Sequence, residues 1–569
     1  MAPTTAPLTI PPAAASIPNL LLNYNPRSIP NDKPAIIDGP SGKTVFTYAT
    51  FRNAVKHFAV YLRDEVGVKP GDVVAFYSGT RVYFPVCVHG VLAIGATVTA
   101  LNPLYQAKEI THALNLAKPS HIFAEPTLVP SLQSGLAASK LPSSLTIHVW
   151  DDMVTPPPGL QSNIRPVPIW SITSRSSSSV ETFRPHPINP DTTPAFLTFS
   201  SGTSGLSKGV ILSHTNVVAT CFQQLGRLHD ELYTSTTVTV LVVPFFHILG
   251  LGGFCVQYVC HAVPIVVFPR FDVHELIKAI ETHRITHINI VPPIGVALLN
   301  AKEEMLQGDN GSRRDLSSLK CLMNAAAPLK LNLADALSKR YGCTLTQWYG
   351  MTEMSPSVSS QREDEVDGGA RGSCGKMNPG IEAKTVDEEG RETTGSIPGE
   401  LLLRGPNLML GYVGADEARD PDGWFATGDI GYFDKNGFLF IVDRKKEMIK
   451  VKAHQVAPAE LESILLSHPD VRDAGVCSIY SDAEASEFPI AYVALKNTSN
   501  LDSKTTEKLR LDIRQHVDQQ VAHYKRLKGG LHFLPAIPRN PSGKVLRRLL
   551  PANLEKTTQT QQTVLQSRL

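Results

Sequence analysis

The stretch Ser201-Gly202-Thr203-Ser204-Gly205-Leu206-Ser207-Lys208-Gly209-Val210 follows Ser200 and an apolar run of Ala195, Phe196, Leu197 and Phe199 that reads as a strand. Its three glycines let the backbone turn sharply and bring N–H groups against a polyanion, while the hydroxyls and Lys208 add directed donors and positive charge. A strand running into such a turn reads as a phosphate cradle. The common P-loop spacing fails, because the fifth residue after Gly202 is Ser207 rather than glycine. Taken alone, the composition also fits a flexible linker.

Working outward, helix-like and strand-like runs alternate. Phe51, Val55, Phe58, Ala59 and Leu62 fall at helical spacing, and Val73 to Phe76 follows as a strand. Leu276, Ile277 and Ile280 repeat the pattern ahead of a strand over Ile285 to Val291. This rhythm predicts parallel sheets covered by helices. Ser171 to Ser179 reads as an exposed connection. Thr239 to Phe268 carries no Asp, Glu, Lys or Arg, but its prolines, glycines and histidines suit a buried core segment better than a membrane span.

With 569 residues, more than one domain is expected. Hydrophobic content of 42%, charged content of 19% and a net charge of +2 without a basic tract suit a soluble protein and give nucleic acid nothing to bind. The eight cysteines are scattered with no C-x-x-C pair, which excludes a disulfide framework or zinc-finger pattern. Residues 1–18 read as a loose tail and 19–442 as the large domain. The charged run Asp443-Arg444-Lys445-Lys446 reads as a hinge (443–446), and 447–552 as a small α+β domain, with helices near Pro458 and over Leu509 to Val521. Residues 553–569 read as a second tail. It ends in Ser567-Arg568-Leu569, a variant of the S-K-L address that a peroxisomal import receptor would take as partner.

Eight motifs then occur in order: SSGTSGLSKGV (Ser200–Val210), PFFHI (Pro244–Ile248), AAAPL (Ala325–Leu329), YGMTE (Tyr349–Glu353), GWFATGDIG (Gly423–Gly431), DRKKEMIK (Asp443–Lys450), QVAPAELE (Gln455–Glu462) and PSGKVLRR (Pro541–Arg548). In these the chain resembles the acyl-adenylating superfamily, most closely its 4-coumarate–CoA ligase and firefly luciferase branch, over residues 30 to 550. The resemblance implies an α/β fold with a large N-terminal domain of stacked sheets and a small mobile C-terminal lid. It also implies an ATP- and Mg²⁺-dependent ligase that joins a small carboxylic acid to coenzyme A through acyl-AMP.

By the same resemblance, Ser200, Ser201, Gly202, Thr203, Ser204, Gly205 and Lys208 would grip the phosphates. Ala325, Ala326, Ala327, Trp348, Tyr349, Gly350 and Met351 would frame adenine. Thr352 would touch the α-phosphate, Glu353 would hold Mg²⁺, and Asp429 and Arg444 would bind the ribose. A carboxylate can accept two donors from a diol, and a guanidinium supplies a fork. Lys544 would bridge the substrate carboxylate and α-phosphate, stabilising the charge that develops there. Lys450 and Gln455 would serve the half-reactions, Lys446 would be the pivot, and Lys452, Ala453, Tyr524 and Lys525 would lie near coenzyme A. His247, Ile248, Leu249, Trp348 and Gly350 would line the acyl pocket. A lone histidine in an apolar run is by default a core residue, so His247 is expected to position rather than to transfer protons.

Departures from the pattern carry information. Ala453 stands where relatives have the glycine of YKGFQ, and adds a methyl there. Trp348 replaces the first glycine of QGYGMTE, so an indole should shorten the acyl tunnel. Leu249 stands where coumarate-specific enzymes carry tyrosine. Both changes favour an apolar acid, aromatic or medium-chain, over 4-coumarate. The adenylation residues also allow a luciferase-like oxidoreductase or a non-catalytic nucleotide-binding homologue, although retention of Glu353 and Lys544 argues against the latter. No carrier domain with an attachment serine follows Arg548, against a megasynthase module.

Overall fold

The computed structural model describes residues 5–25, 28–142, 145–150, 164–174, 178–200, 207–308, 311–327, 329, 331–366, 370–415, 418–451, 454–481, 484, 486–497, 502–539 and 543–554. They fall into two compact units. The larger takes the described residues of Pro3–Glu382 and Leu403–Phe425, and the smaller those of Ala383–Leu402 and Ala426–Leu569.

The larger unit holds two sheets. In the first, Thr97–Leu101, Val73–Tyr77, His121–Ala124, Ile147–Trp150 and Ile164–Val167 run parallel beside Pro194–Ser200. Lys208–Ser213 and Gly411–Tyr412 close that edge antiparallel. In the second, Thr344–Gly350, Cys321–Asn324, His287–Ile290, Thr239–Leu241, Ile265–Val267 and Pro34–Asp38 are parallel neighbours. Central strands such as Thr97–Leu101 are buried throughout, as strands covered on both faces must be. The helix Tyr48–Tyr61 starts where Thr47 and Thr50 cap each other reciprocally, and it buries Phe51, Val55 and Phe58 as their spacing predicts.

The uncharged segment forms the strands Thr239–Leu241 and Ile265–Val267 around a buried π-helix, Leu249–Tyr258. Among the described residues no helix is long and apolar enough to cross a membrane. All eight cysteines are free.

The smaller unit contains most of a four-stranded sheet, Glu382–Val386, Gly399–Arg404, Phe425–Phe433 and Leu439–Arg444. It also has a two-stranded ribbon (Ile449–Val451 with His454–Val456) and a three-stranded sheet (Val471–Ser481, Ser486–Leu495, Gly530–Phe533). The helices Pro458–Leu466 and Ser503–Asp518 supply Leu461, Leu465, Ile513 and Val517 to a core shared with Val476, Ala491 and Val493.

Three expectations change. The described part of 1–18 is not loose: Ala14 and Ile17 are fully buried, Ser16 caps the helix Ile17–Leu22, and Gly380 donates to the Ala6 carbonyl at 2.9 Å. The Ser171–Ser179 connection is partly helical, in Ile169–Ser174 and Ser178–Glu181, where Ile172 and Val180 turn inward. The boundary after residue 442 lies inside the smaller unit, because Phe425–Phe433 pairs along Leu439–Arg444.

Candidate active site

In the larger unit, Ser200 ends one strand and Lys208 begins the next, and the two stand directly opposite in register. Ser201, Gly202, Thr203, Ser204 and Gly205 lie outside the described residues. At the loop's exit, His112 donates through Nε2 to the Ser207 carbonyl at 2.7 Å, fixing the backbone ahead of Lys208. The Lys208 ammonium lies 4.5 Å from the centroid of the Tyr412 ring.

The hydroxyl of the same tyrosine donates to Glu353 Oε1 at 2.9 Å, and Glu353 is only 7% exposed. Tyr412 can reach both because Gly411–Tyr412 pairs with Ile211 and Val210 on the strand that Lys208 opens. Tyr412 and His112 escaped the sequence reading, for neither sits in a motif and only sheet register brings Tyr412 to the site.

Thr344–Gly350 carries Trp348, Tyr349 and Gly350 to a turn that continues through Met351 into the short 3-10 helix Thr352–Met354. Gly350 is required here, since a Cβ would sit 2.1 Å from the Pro356 carbonyl oxygen, to which Met351 N–H donates at 2.8 Å. The alanines follow the strand Cys321–Asn324: Ala325 N–H donates to Ile290 at 3.0 Å, and Asn324 Nδ2 donates to the Ala327 carbonyl at 2.9 Å. Ala326 adopts φ +69°, uncommon for a residue with a Cβ and characteristic of sites where backbone is held against its preference.

His247 lies in the turn before Leu249–Tyr258, and its Nδ1 accepts the Leu249 N–H at 3.3 Å. That bond requires an unprotonated Nδ1. Burial works in the same direction, pushing the ring pKa down to about 4. Gly250 allows the backbone to fold onto Pro244, whose oxygen would lie 2.1 Å from an added Cβ. Ile248 is buried and Leu249 partly so. The Trp348 side chain, on the same strand face as Thr346, lines a small cavity with Leu228, Leu232, His287, Glu231 and Glu363. His247, Ile248, Leu249 and Gly350, expected beside it in the acyl pocket, do not line that cavity. The indole Nε1 of Trp348 is buried with no hydrogen-bond partner among the described residues.

In the smaller unit, Asp429 and Arg444 are register partners joined by an ion pair of 2.7 Å. Lys544 is partly buried, with its ammonium 3.9 Å from Glu447. Burial and the neighbouring Arg444 charge lower its pKa, while Glu447 and Asp429 oppose that shift. Lys450 is exposed and stands directly across the ribbon from Gln455. Lys452 and Ala453 lie outside the described residues. Tyr524 and Lys525 form a short 3-10 turn in which Lys525 pairs with Glu460 at 2.7 Å. Lys446 is exposed, next to a Lys445–Glu400 ion pair of 2.6 Å.

Glu353 suits a hard cation. Tyr412 occupies one of its oxygens and leaves acceptor capacity on the carboxylate, and Mg²⁺ at nucleotide sites needs only one or two carboxylates because phosphates and water complete its shell. No cluster of three His, Cys, Asp or Glu able to hold a metal occurs among the described residues, so an all-protein cage is not what this site offers.

The sequence profile of the AMP-binding enzyme family matches residues 24–413, and that of the AMP-binding enzyme C-terminal domain matches 460–544. The probable CoA ligase CCL5 of Humulus lupulus is 37% identical over 91% of this chain and 89% of its own. Peroxisomal OPC-8:0-CoA ligase 1 of Arabidopsis thaliana is 35% identical over 90% and 89%. The solved structure of o-succinylbenzoate coenzyme A synthetase (MenE) from Bacillus subtilis, in complex with ATP and magnesium ion, superposes with a TM-score of 0.74. At 24% identity over 94% of this chain and 99% of that one, it shows the shared fold. The chain belongs to the AMP-binding enzyme family, as an AMP-forming acid–thiol ligase.

Proposed function

We propose that this ligase activates an apolar carboxylic acid, aromatic or medium-chain, and passes it to coenzyme A. A carboxylate is a poor electrophile because its charge is delocalised and oxide would have to leave. Activation therefore begins with a carboxylate oxygen attacking the α-phosphorus of ATP. The Pα–O bond to pyrophosphate breaks and a mixed anhydride forms. The thiolate of coenzyme A next attacks the acyl carbon, and AMP leaves with the electron pair of the acyl C–O bond.

The observation that carries this reading is the junction of Lys208, Tyr412 and Glu353, where the end of the glycine-rich loop meets a buried carboxylate through one tyrosine. There Lys208 and the loop amides bind the β- and γ-phosphates, and Glu353 holds Mg²⁺, which neutralises phosphate charge when bound. The main chain at Ala325–Ala327 and Tyr349–Met351 frames adenine, and Thr352 contacts the α-phosphate. Asp429 and Arg444 take the ribose hydroxyls. Lys544 stabilises the charge that builds between carboxylate and α-phosphate.

His247, neutral at physiological pH, separates the acyl pocket from the thiol path as a wall rather than a base. Lys446 is the pivot about which Lys544 withdraws and the Lys450–Gln455 ribbon takes its place for thioester formation. By the resemblance, an indole at Trp348 and an alkyl side chain at Leu249 would make the acyl pocket short and hydroxyl-poor, and this supports the apolar class. Ser567-Arg568-Leu569 lies outside the described residues; its sequence supports delivery to the peroxisome.

A panel of carboxylic acids scored for AMP release with and without coenzyme A tests the reading. Aromatic acids without a ring hydroxyl and medium-chain acids should release AMP at least about tenfold faster than dicarboxylates or hydroxycinnamates, and Trp348→Gly should shift the preference to longer acids. Preference for a dicarboxylate, or an unchanged profile in Trp348→Gly, would overturn the proposed substrate class.

A further inference from the structure

Lys544 reaches its position on a hairpin whose two arms are tied down by different arginines. The hairpin is closed by the Arg539–Val545 bridge and by Leu546 N–H donating to the Pro538 carbonyl at 2.8 Å. On the upstream arm, Arg539 forks onto Asp473 at 2.6 and 3.0 Å and donates to the Gly543 carbonyl at 2.5 Å. On the downstream arm, Arg547 spreads its donors over three segments. Nε and Nη2 donate to Glu462 at 3.1 and 2.8 Å, Nε also donates to the Val476 carbonyl at 3.0 Å, and Nη1 binds Glu447.

Glu447 is the contested group. One of its oxygens binds Arg547 and the other lies 3.9 Å from the Lys544 ammonium. The side chains of Arg547, Glu447 and Glu462 are only 11%, 14% and 12% exposed, so each charge needs its partner. Without the guanidinium, the long Lys544–Glu447 ion pair of 3.9 Å would close into a tight one. The lysine would then be held by a protein carboxylate when a substrate carboxylate and a phosphate should hold it.

We propose that Arg547 is a positioning residue for adenylation: it satisfies Glu447 and fixes the hairpin so that the Lys544 ammonium is presented to substrate. The idea rests on the reading of Lys544 as the adenylation lysine. The donors of Arg547 go to Glu447, Glu462 and the Val476 carbonyl, so its effect belongs to the half-reaction that uses Lys544.

The test separates the half-reactions in the full-length protein. Adenylation is read as pyrophosphate exchange driven by octanoate or 3-phenylpropanoate, and thioester formation as coenzyme A consumption from synthetic octanoyl-AMP or phenylpropanoyl-AMP. Arg547→Met should lower the exchange kcat by about 30-fold or more, keep the KM for ATP within about twofold, and leave thioester formation from supplied acyl-AMP within about twofold. Adding Glu447→Gln, which removes the competing charge, should recover at least about fivefold of the exchange. Arg547→Lys keeps the charge but loses the three-way fork, should lose exchange by an intermediate amount, and serves if the methionine variant does not fold.

Undiminished exchange in the arginine variants, or an equal fall in both half-reactions, would overturn the proposal. Lys544→Ala is the reference. If it leaves exchange unchanged, the reading of Lys544 fails first; if it abolishes exchange while the Arg547 variants do not, only the positioning role fails.

Discussion

The two units hold their functional groups by opposite means. In the larger unit, apart from Lys208 and Glu353, which meet through the neutral Tyr412, the site is framed by uncharged close approaches: backbone against backbone at Gly350 and Gly250, a positive φ at Ala326, and a histidine kept neutral at His247. In the smaller unit Lys544 sits beside a buried web of full charges made by Asp443, Glu447, Glu462 and Arg547. Neutral contacts are short-ranged and give one geometry. Charges reach further and depend on every partner being present.

Acidification should separate the two units, and this is the largest effect expected. His89, His148 and His247 are pushed down to about 4 by burial, and His214 to about 3. All four lie in the larger unit. Unfolded, they take up protons below their ordinary value of about 6.5, while the fold refuses them, so the stability they contribute is complete above that pH and drains as pH falls toward 4. The linkage amounts to about 1.4 kcal/mol per pH unit for each histidine.

In the smaller unit the sign reverses. Burial raises the carboxyl pKa values of Asp443 and Glu462, so the fold takes up those protons first and gains stability as pH falls toward the ordinary carboxylate range. Hydrogen exchange at pH 7 and pH 5 checks this. Amides of Val73–Tyr77 and Pro194–Ser200 should lose protection at pH 5 relative to those of Val471–Ser481 once intrinsic rates are corrected. Equal changes in both units would break the comparison.

Gly350→Ala tests the neutral frame next. The added Cβ would meet the Pro356 carbonyl at 2.1 Å, and backbone on both sides must move. A loss of about 3 kcal/mol is expected, with pyrophosphate exchange falling while thioester formation from supplied acyl-AMP falls less. A melting temperature within one degree of the parent would show that the turn is softer than drawn.

Much of this was legible in sequence, for reasons that differ between fold and site. The apolar runs at Ala195–Phe199 and Val73–Phe76 are strands because they are buried on both faces, and period and length alone reveal that. The Lys544 and Glu353 assignments came from motif order. The tail could not be read, because Ala14 and Ile17 are surrounded by proline and small residues that look solvent-exposed until a partner surface is known. The division into units was hidden because the charged run at 443–446 looks like a boundary while Asp443 is in fact buried, accepting the Ala459 N–H at 3.0 Å. Tyr412 and Arg547 were invisible as site groups for the same reason: each acts on a residue 59 or 100 positions away.

Tyr412→Phe carries the smallest effect and discriminates most finely between the two ways of holding a group. The substitution keeps the ring beneath Lys208 and removes only the hydroxyl that donates to Glu353. Losing a hydrogen bond to a charged acceptor costs about 1.5–3 kcal/mol when the acceptor stays buried and unsatisfied. If Glu353 relies on that bond for orientation, the Mg²⁺ concentration giving half-maximal pyrophosphate exchange should rise about tenfold, while kcat at saturating Mg²⁺ stays within about threefold. Tyr412→Leu should add a rise in the KM for ATP, since Lys208 then loses its aromatic platform. If both variants shift ATP and Mg²⁺ together, the tyrosine acts as one packing unit, and the distinction between an aimed carboxylate and a steadied lysine dissolves at this residue.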